Sequence, residues 1–365
     1  MKSKILLILS SEQFSGGEKV ALEIAKNLKS NFDFIFFLPG KPQKEFEEEL
    51  KNFEFYYSPQ KSFLEIIKNL KKTITFLKPS IINTHGTRAS VFLKLVLFLT
   101  LKKKFKFIYT LHGAHFVRRK FSVNFIFLIW ELITNYLFVD YLICVGKDDY
   151  DLIKKLKLIN KNKLFLIENG INFEEYQNIE KGYLRKNFNL KNEIILTTIC
   201  RLHYPKDLKT LINAVNLIKD ENIVLFIVGD GPDRNELEDL VRNLNLENKI
   251  KFLGFRKEIK EILQDTDIFI LSTRWEGLPL VILEAWATKK PVIASDVHGI
   301  RGLIKNEESG ILFKFGDLED LKKKILLLIK NENLKFKIAN NGYELVKKKY
   351  NIFQMAQSYK EIYNR

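Results

Sequence analysis

The sequence predicts an α/β fold made of two doubly wound domains, and three observations support this prediction. The 365 residues are enough for about two domains of ordinary size. Short runs of Ile, Leu, Val and Phe are almost wholly apolar, which is typical of parallel strands that are buried on both faces. Amphipathic segments lie between these runs, so strands and helices alternate along the chain as they do in βαβ units.

The apolar runs fall into two series, and each series predicts one parallel sheet. A polar stretch rich in Asn, Glu and Lys separates the two series. We therefore assign residues 1–170 to a first domain, 171–192 to a linker and 193–349 to a second domain. Because ligands of such sheets bind at the carboxyl ends of the strands, two facing domains are expected to form a cleft. The runs are 4–9, 32–38, 81–86, 105–113 and 140–146, then 193–202, 224–231, 250–255, 267–273 and 290–296.

The net charge of +16 indicates either many solvated lysines or an anionic partner. Basic and aromatic residues alternate in the segment 102–121, which suits an anionic membrane surface. No nucleic-acid-binding motif accompanies the charge, so no nucleic acid partner is expected. The apolar zone 123–145 contains polar residues at intervals that argue against a membrane span. The apolar run 5–9 is too short for a signal peptide, so we expect a cytoplasmic protein.

Glycines and histidines near the carboxyl ends of first-domain strands are candidate ligand contacts. Gly16 and Gly17 open a helix, where they form either an anion site or a plain tight turn. His85 and His112 each end a strand and precede a glycine, and each is either a ligand contact or a hydrogen-bonded structural histidine. His115 follows closely enough to share the site. No acid has the spacing of an HExxH zinc motif, so no metal is expected.

The second domain carries candidate groups after three of its strands. Arg201 and Lys206 lie on one loop, where they either hold a diphosphate or form a solvated basic loop. The turn at Gly229 precedes a helix and can contact a nucleotide. Gly254 and Phe255 end the next strand and can lie against a base through their backbone.

Two carboxylates, Glu276 and Glu284, bracket the start of a helix predicted over 280–288. Each carboxylate can accept hydrogen bonds from one set of hydroxyl groups, and amides at a helix N-terminus can bind a phosphate between them. A molecule with hydroxyl groups at both ends and a diphosphate in the middle has the matching polarity. The amides between the carboxylates are those of Gly277, Leu278 and Leu280.

Taken in order, these motifs resemble glycosyltransferase family 4, whose members have the GT-B fold of two facing Rossmann-like domains with a cleft between them. The resemblance covers essentially the whole chain. The motifs that carry it are SGGEKV, ENGIN, RLHYPKD, VGDGP, GF, EGLPLVILEA and KPVIASD.

The resemblance implies a role for each candidate residue. His112 is expected to contact the donor sugar, and Arg201 and Lys206 are expected to bind the diphosphate. Glu276 is expected to lie near the sugar hydroxyls, and Glu284 on the ribose hydroxyls. These roles are what the family pattern implies for the matching positions.

The glycines of the first domain and the domain junction also match the family. Gly16 and Gly17 are expected to approach the donor diphosphate and the acceptor, and Asn169 matches the family's NGI motif. Four positions depart from the pattern and leave the choice of donor open. Asn172 stands where aspartate is usual, and Cys200 stands where glycine is usual before Arg201. Asp207 stands where glycine is common, and no glutamate follows Gly299 at the matching place.

The resemblance implies a retaining glycosyltransferase of the hexosyltransferase type that uses a nucleotide sugar, with UDP as the expected nucleotide. Its acceptor is expected to be a glycan or a lipid-linked sugar in bacterial surface polysaccharide, lipooligosaccharide or glycoprotein-glycan synthesis. No metal or other cofactor is expected, because Arg and Lys stabilise the departing diphosphate. Residues 350–365 are expected to form a helix on the first domain, and the protein to attach peripherally to the cytoplasmic face of the anionic inner membrane. The alternatives are a nucleotide-sugar epimerase or hydrolase of the same fold, and a basic nucleic-acid-binding protein.

Overall fold

The computed structural model describes residues 2–60, 62–100, 103–114 and 121–365, and of residues 121–124 only the backbone. The chain forms two compact units: unit 1 contains Met1–Asn169 and Ile352–Arg365, and unit 2 contains Gly170–Asn351. Each unit is a parallel sheet with helices, so the predicted class of two Rossmann-like α/β domains is confirmed.

Unit 1 has a seven-stranded parallel sheet in the order β3-β2-β1-β4-β5-β6-β7. Its central strands are almost wholly buried, as the unbroken apolar runs predict. The strands are β1 Ser3–Leu9, β2 Phe32–Leu38, β3 Glu54–Tyr57, β4 Ile81–His85, β5 Lys106–Leu111, β6 Tyr141–Cys144 and β7 Leu164–Leu166. The helices are α1 Gly16–Leu28, α2 Lys44–Leu50, α3 Phe63–Leu77, α4 Thr87–Thr100, α5 Phe121–Phe138, α6 Lys147–Lys155 and, after unit 2, α14 Ile352–Asn364.

Unit 2 has a six-stranded parallel sheet in the order β10-β9-β8-β11-β12-β13. The strands are β8 Ile194–Ile199, β9 Ile223–Val228, β10 Ile250–Gly254, β11 Ile268–Leu271, β12 Val292–Ser295 and β13 Ile311–Phe313. The helices are α7 Tyr183–Asn187, α8 Leu208–Asn216, α9 Arg234–Asn243, α10 Ile259–Asp265, α11 Leu280–Ala287, α12 Leu318–Lys330 and α13 Glu332–Lys349. The helix predicted at 280–288 is thus present as α11.

In each sheet the strand order reverses at one place, and doubly wound sheets bind ligands at that switch point. The reversal lies between β1 and β4 in unit 1 and between β8 and β11 in unit 2. In unit 1 the register pairs Leu9 with His85 and His85 with Thr110, so the carboxyl ends of β1, β4 and β5 are level. Gly17 and His85 lie after or at the ends of β1 and β4, and Lys206 and Glu276 follow β8 and β11, so these candidates lie at the switch points.

Three strands of the structure, β3, β7 and β13, are absent from the apolar runs identified in the sequence. Each of them is an edge strand of three or four residues. An edge strand pairs on one side only and is partly exposed, so it needs no long apolar run. This explains why the sequence pattern indicates the sheet centres and the edge strand β10 but misses the three shorter edge strands.

Residues 171–192, predicted as a linker, are packed into unit 2, and this part of the domain prediction is corrected. The side chains of Phe173, Tyr176 and Leu184 are buried. The carboxylate of Asp265 accepts hydrogen bonds from the amides of Gly182 at 2.6 Å and Leu184 at 2.7 Å. The polar composition that suggested a linker belongs to the exposed residues of this segment.

Helix α14 belongs to unit 1, where two buried tyrosines attach it to the sheet. The hydroxyl of Tyr363 accepts a hydrogen bond from the Asn83 amide at 2.9 Å. The hydroxyl of Tyr359 donates to Thr110 at 3.4 Å, and Thr110 donates to the Asn83 side-chain oxygen at 3.0 Å. The last helix of the chain therefore completes the fold of the first unit.

Replacing Asp265 by Ala should loosen the start of unit 2, because it removes the charged acceptor of two backbone amides. We expect a loss of ~1–3 kcal/mol in unfolding free energy and faster hydrogen exchange at Gly182 and Leu184. The control is Asp239→Ala, which removes an exposed ion pair with Arg242. Equal exchange rates in the Asp265 and Asp239 variants would contradict this account.

Candidate functional site

Two loops leave the sheet of unit 2 side by side at its switch point. One loop follows β8 and contains Arg201 and Lys206, and the other follows β11 and contains Glu276. The strands β8 and β11 pair in parallel, with Ile268 opposite Leu196, so their carboxyl ends lie at the same edge of the sheet. The topology therefore brings together residues that are about 70 positions apart in the chain.

The two loops meet in an ion pair between Lys206 and Glu276. The Nζ atom of Lys206 lies 2.5 Å from Oε1 of Glu276, and the side chains are 18% and 13% exposed. Burial alone would lower the pKa of Lys206, but the Glu276 carboxylate outweighs this effect and the pKa lies above its ordinary value. Lys206 is therefore a protonated cation, partly shielded from water, with a carboxylate beside it.

Backbone and hydroxyl contacts fix the short helical turn Tyr204–Lys206 to the loop after β11. The Thr273 hydroxyl donates to the carbonyl of Pro205 at 2.9 Å, and the Arg274 amide donates to the same carbonyl at 2.8 Å. The Ser272 hydroxyl donates to the carbonyl of Lys206 at 3.2 Å. The position of the Lys206 ammonium is thus set by the neighbouring loop as well as by its own.

A second ion pair, between Asp207 and Arg274, supports the same turn. The guanidinium of Arg274 donates to Oδ1 of Asp207 at 3.1 Å and lies over the rings of Tyr204 and Phe315, at 4.3 and 5.0 Å. Asp207 has a left-handed backbone with φ of 46°, and its carboxylate also accepts from the Thr210 hydroxyl at 2.8 Å. The backbone conformation explains why glycine suits this position, and the two contacts compensate for its absence.

Glycines after β9 set the path of the Arg201 loop. A Cβ atom on Gly229 would lie 2.0 Å from the Cys200 carbonyl oxygen, and one on Gly231 would lie 2.1 Å from the Leu202 carbonyl oxygen. The residues on both sides of Arg201 are therefore in direct backbone contact with this turn. Arg201 itself is exposed, and within the described ranges its guanidinium has no hydrogen-bond or ion-pair partner.

A close backbone approach also positions Glu276. Gly299 has φ of +82°, and a Cβ atom there would lie 2.1 Å from the Glu276 carbonyl oxygen. The amide of Glu276 donates to the carbonyl of His298 at 3.2 Å. Glu284 is the fifth residue of α11 and only 4% exposed. Helix α11 is held in turn by α13, where Gly342 leaves room for the Trp286 ring.

The switch point of unit 1 holds a pair of histidines. The Nδ1 atom of His85 lies 3.0 Å from Nε2 of His112, and the two rings stack with centroids 5.2 Å apart. His85 is buried, and burial together with His112 holds its pKa well below the ordinary value. A Cβ atom on Gly17 would lie 3.3 Å from the ring of His112, so the glycine loop packs directly on this histidine.

Comparison with known proteins places both units in one enzyme family. Residues 14–175 match the model described as Glycosyltransferase Family 4, and residues 181–345 match Glycosyl transferases group 1. The UDP-Gal:alpha-D-GlcNAc-diphosphoundecaprenol alpha-1,3-galactosyltransferase of Escherichia coli is 31% identical over 79% of this chain and 76% of its own. The chain belongs to glycosyltransferase family 4.

Two further proteins are similar to this glycosyltransferase over nearly its whole length. The N,N'-diacetylbacillosaminyl-diphospho-undecaprenol alpha-1,3-N-acetylgalactosaminyltransferase of Campylobacter jejuni is 27% identical over 94% of both chains. The crystal structure of Anabaena Alr3699/HepE with UDP and glucose has a TM-score of 0.85 at 21% identity and covers 99% of both chains. The GT-B fold class is thus confirmed, and neither an epimerase or hydrolase nor a nucleic-acid-binding protein is favoured.

The structure brings several predicted site residues together. Lys206 contacts Glu276, and Gly17 lies against His112. The amide of Gly229 donates to the carbonyl of Gly254 at 2.8 Å, which joins two of the predicted turns. The other predicted residues differ in solvent exposure. Gly16 and Phe255 are exposed, whereas the buried ones are Asn169, Gly277, Leu278 and Leu280.

Other predicted residues lie where nothing is described. His115, Lys102, Arg118, Arg119 and Lys120 are outside the described ranges, and so is the side chain of Phe121. The basic and aromatic segment 102–121 is therefore described only in part, at residues 103–114.

Sequence reasoning missed the groups that hold the glycosyltransferase site in place. Arg274 lies in the conspicuous stretch RWEGLPL but received no role, and Asp207 was noted only as a departure from glycine. The direct pairing of His85 with His112 was also not foreseen. The available signal was that both histidines lie at the carboxyl ends of strands, because adjacent strands such as β4 and β5 place these residues side by side.

Replacing Gly229 by Ala should displace the loop that carries Arg201, because the new methyl group collides with the Cys200 carbonyl and φ is +122°. We expect the unfolding free energy to fall by ~2–4 kcal/mol in urea titrations. The control is Gly16→Ala, where no atom lies within 4 Å and the stability should stay within ~0.5 kcal/mol. Equal stabilities of the two variants would contradict the proposed contact.

Stability should fall in mild acid because His85 is held neutral by the fold. Its pKa is depressed in the folded protein, so the unfolded chain takes up a proton first as the pH falls. The contribution of neutral His85 to the unfolding free energy is therefore full above the ordinary pKa of 6.5 and is lost as the pH drops below that value. The effect is at most ~1.4 kcal/mol per pH unit. His85→Gln should flatten the stability profile between pH 7 and 5, and an unchanged slope would rule out this role.

Proposed function

We propose that this glycosyltransferase moves a hexose from a UDP-linked donor, with retention of the anomeric configuration, to a polyprenyl-diphosphate-linked sugar or related glycan in bacterial surface-glycan synthesis. The observation that carries the proposal is the ion pair of Lys206 with Glu276 at the switch point of unit 2, on the loop that also contains Arg201. A cation and a carboxylate in contact match a donor that has a diphosphate next to sugar hydroxyls.

The relatives support the chemical class of both substrates. The names of the Escherichia coli and Campylobacter jejuni enzymes each specify an acceptor joined to undecaprenol through a diphosphate, and the first also specifies UDP-Gal. The Anabaena structure contains UDP and glucose. These are properties of the relatives, and for this chain they motivate the choice of UDP and of a lipid-linked acceptor.

In the proposed reaction, the bond between C1 of the sugar and the diphosphate oxygen breaks as an acceptor oxygen bonds to C1 on the same face. The acceptor proton passes to the departing phosphate. Negative charge grows on the diphosphate, where Arg201 and Lys206 act as fixed cations that stabilise the transition state more than the ground state. Glu276 accepts hydrogen bonds from the sugar hydroxyls, and Glu284 binds the ribose.

Donor binding requires Lys206 to exchange one partner for another. In the structure its ammonium contacts Glu276, whereas in the donor complex it would contact the diphosphate while Glu276 turns to the sugar. Because both side chains are already partly shielded from water, the exchange needs little further desolvation. The two protein cations supply the positive charge that the leaving group needs, so the proposed transfer requires no divalent metal.

The proposed location is the cytoplasmic face of an anionic membrane, with peripheral attachment. A lipid-linked acceptor would be held at such a surface, and the net charge of +16 suits it. Within the described residues, no helix combines the length and apolar character needed to span a bilayer.

The central test is transfer from UDP-, GDP- and ADP-sugars to a polyprenyl-diphosphate-linked acceptor, with EDTA present. Wild-type protein should use a UDP-sugar, Glu276→Ala should abolish transfer, and Arg201→Ala and Lys206→Ala should each lower kcat by a factor of ~10²–10³. Arg242→Ala is the matched control, because this arginine lies exposed on α9.

Three outcomes would overturn parts of the proposal. Near-normal turnover by Glu276→Ala would remove its assigned role, and nucleotide release at full rate without acceptor would indicate a hydrolase. Loss of activity in EDTA that added magnesium restores would contradict the metal-free mechanism.

A further inference from the structure

Helix α5 of unit 1 turns an apolar face away from the protein. Seven large side chains of this helix are between 37% and 72% exposed. Their positions repeat at intervals of three or four, which places them along one side of a helix. We call this the outer face of α5, and it consists of Phe125, Ile126, Ile129, Leu132, Ile133, Tyr136 and Leu137.

Three polar residues in the second half of α5 point the other way, into the protein. Glu131, Thr134 and Asn135 are at most 1% exposed. Helices on the surface of water-soluble proteins have the opposite orientation, with the apolar stripe inward and the polar side in water. An inward polar side is typical of helices whose outer surroundings are apolar.

A buried ion pair fixes α5 in this orientation. Glu131 lies 2.8 Å from the ammonium of Lys94 on α4, and both side chains are buried. The ammonium of Lys94 also lies over the ring of Tyr109 at 5.0 Å, and the Asn135 amide donates to the Leu158 carbonyl at 3.2 Å. Rotating α5 to bury its apolar side would break this pair and leave an uncompensated charge inside the protein, so the exposure is built into the fold.

The exposed apolar surface continues onto the end of α4. Phe98 and Leu99 are 54% and 71% exposed, and the Phe98 ring lies 6.2 Å from the ring of Trp130 on α5. Large contiguous apolar patches on a protein surface mark an interaction surface.

Lysines border the carboxyl-terminal end of the outer face. The Nζ atom of Lys103 donates to the carbonyl of Phe138, the last residue of α5, at 2.8 Å and forms an ion pair with Asp140, whereas Lys104 beside it is exposed. The hydroxyl of Tyr136 donates to the carbonyl of Lys157, whose side chain is also exposed. An apolar stripe with an aromatic hydroxyl and several lysines at its edge matches the interface of an anionic bilayer, where apolar groups enter the acyl region and cations meet the headgroups.

We propose that α5 lies flat in the surface of an anionic membrane, with its outer face in the acyl boundary and Lys104 and Lys157 at the headgroups. The charge at the edge favours this lipid surface over an uncharged partner. The inference rests on the proposed membrane location and names the element that provides it. Its test measures lipid binding in the absence of any sugar substrate, so it can fail separately from the transfer reaction.

The test is sedimentation of the full chain with vesicles of phosphatidylglycerol and phosphatidylcholine. The variant carries Ile126→Ser, Ile133→Ser and Leu137→Ser, which remove apolar groups only from the outer face. We expect its apparent Kd for the vesicles to rise at least tenfold, with an unchanged circular dichroism spectrum and melting temperature. Lys104→Gln with Lys157→Gln should weaken binding to these vesicles and leave the weaker binding to pure phosphatidylcholine unchanged.

The matched control removes equally exposed apolar groups elsewhere, with Leu64→Ser, Phe76→Ser and Phe336→Ser. It should bind vesicles within about twofold of wild type. Wild-type binding by a folded outer-face variant would overturn the proposal. So would a wild-type protein that ignores vesicles but self-associates in ultracentrifugation through the outer face, because a second copy of the chain would then be the partner.

Discussion

The contact between Lys206 and Glu276 is the interaction on which the site of unit 2 depends. The two groups come from loops after adjacent parallel strands, and neither loop alone produces the pair. The carboxylate of Glu276 compensates the charge of Lys206 in a partly shielded position and holds the pKa of that ammonium above its ordinary value. A bound diphosphate can therefore replace a carboxylate beside an ammonium that already has its charge and position.

The remainder of the unit 2 site serves to keep these two loops in register. Backbone contacts at Gly229 and Gly299 leave no space for a side chain, and the Asp207–Arg274 pair joins the loops a second time. Unit 1 uses the same principle at its own switch point, where Gly17 packs on His112 and His85 stacks against it. In both units, close packing at glycines positions charged or titratable groups at the carboxyl ends of strands.

The sequence predicted what depends on long, strong patterns. Unbroken apolar runs identified the central strands, and the motif order identified the family. The sequence did not predict the short edge strands, because such strands need little apolar surface. It also did not predict that the segment 171–192 packs into unit 2, because the polar residues of this segment are exposed. The roles of Arg274 and His85 depend on which strands become neighbours, and that is a property of the folded sheet. The inward orientation of Glu131 on α5 likewise depends on its tertiary partner, Lys94.

The most direct test of the account is a calorimetric titration of UDP into wild-type protein, Lys206→Met and Glu276→Gln. UDP has the diphosphate but no sugar, so it should need the ammonium of Lys206 and gain nothing from the carboxylate of Glu276. The account predicts that Lys206→Met binds UDP ~10–100-fold more weakly, whereas Glu276→Gln binds it at least as tightly as wild type because the ammonium is released from its partner. Unchanged UDP affinity in Lys206→Met would contradict the account at its centre.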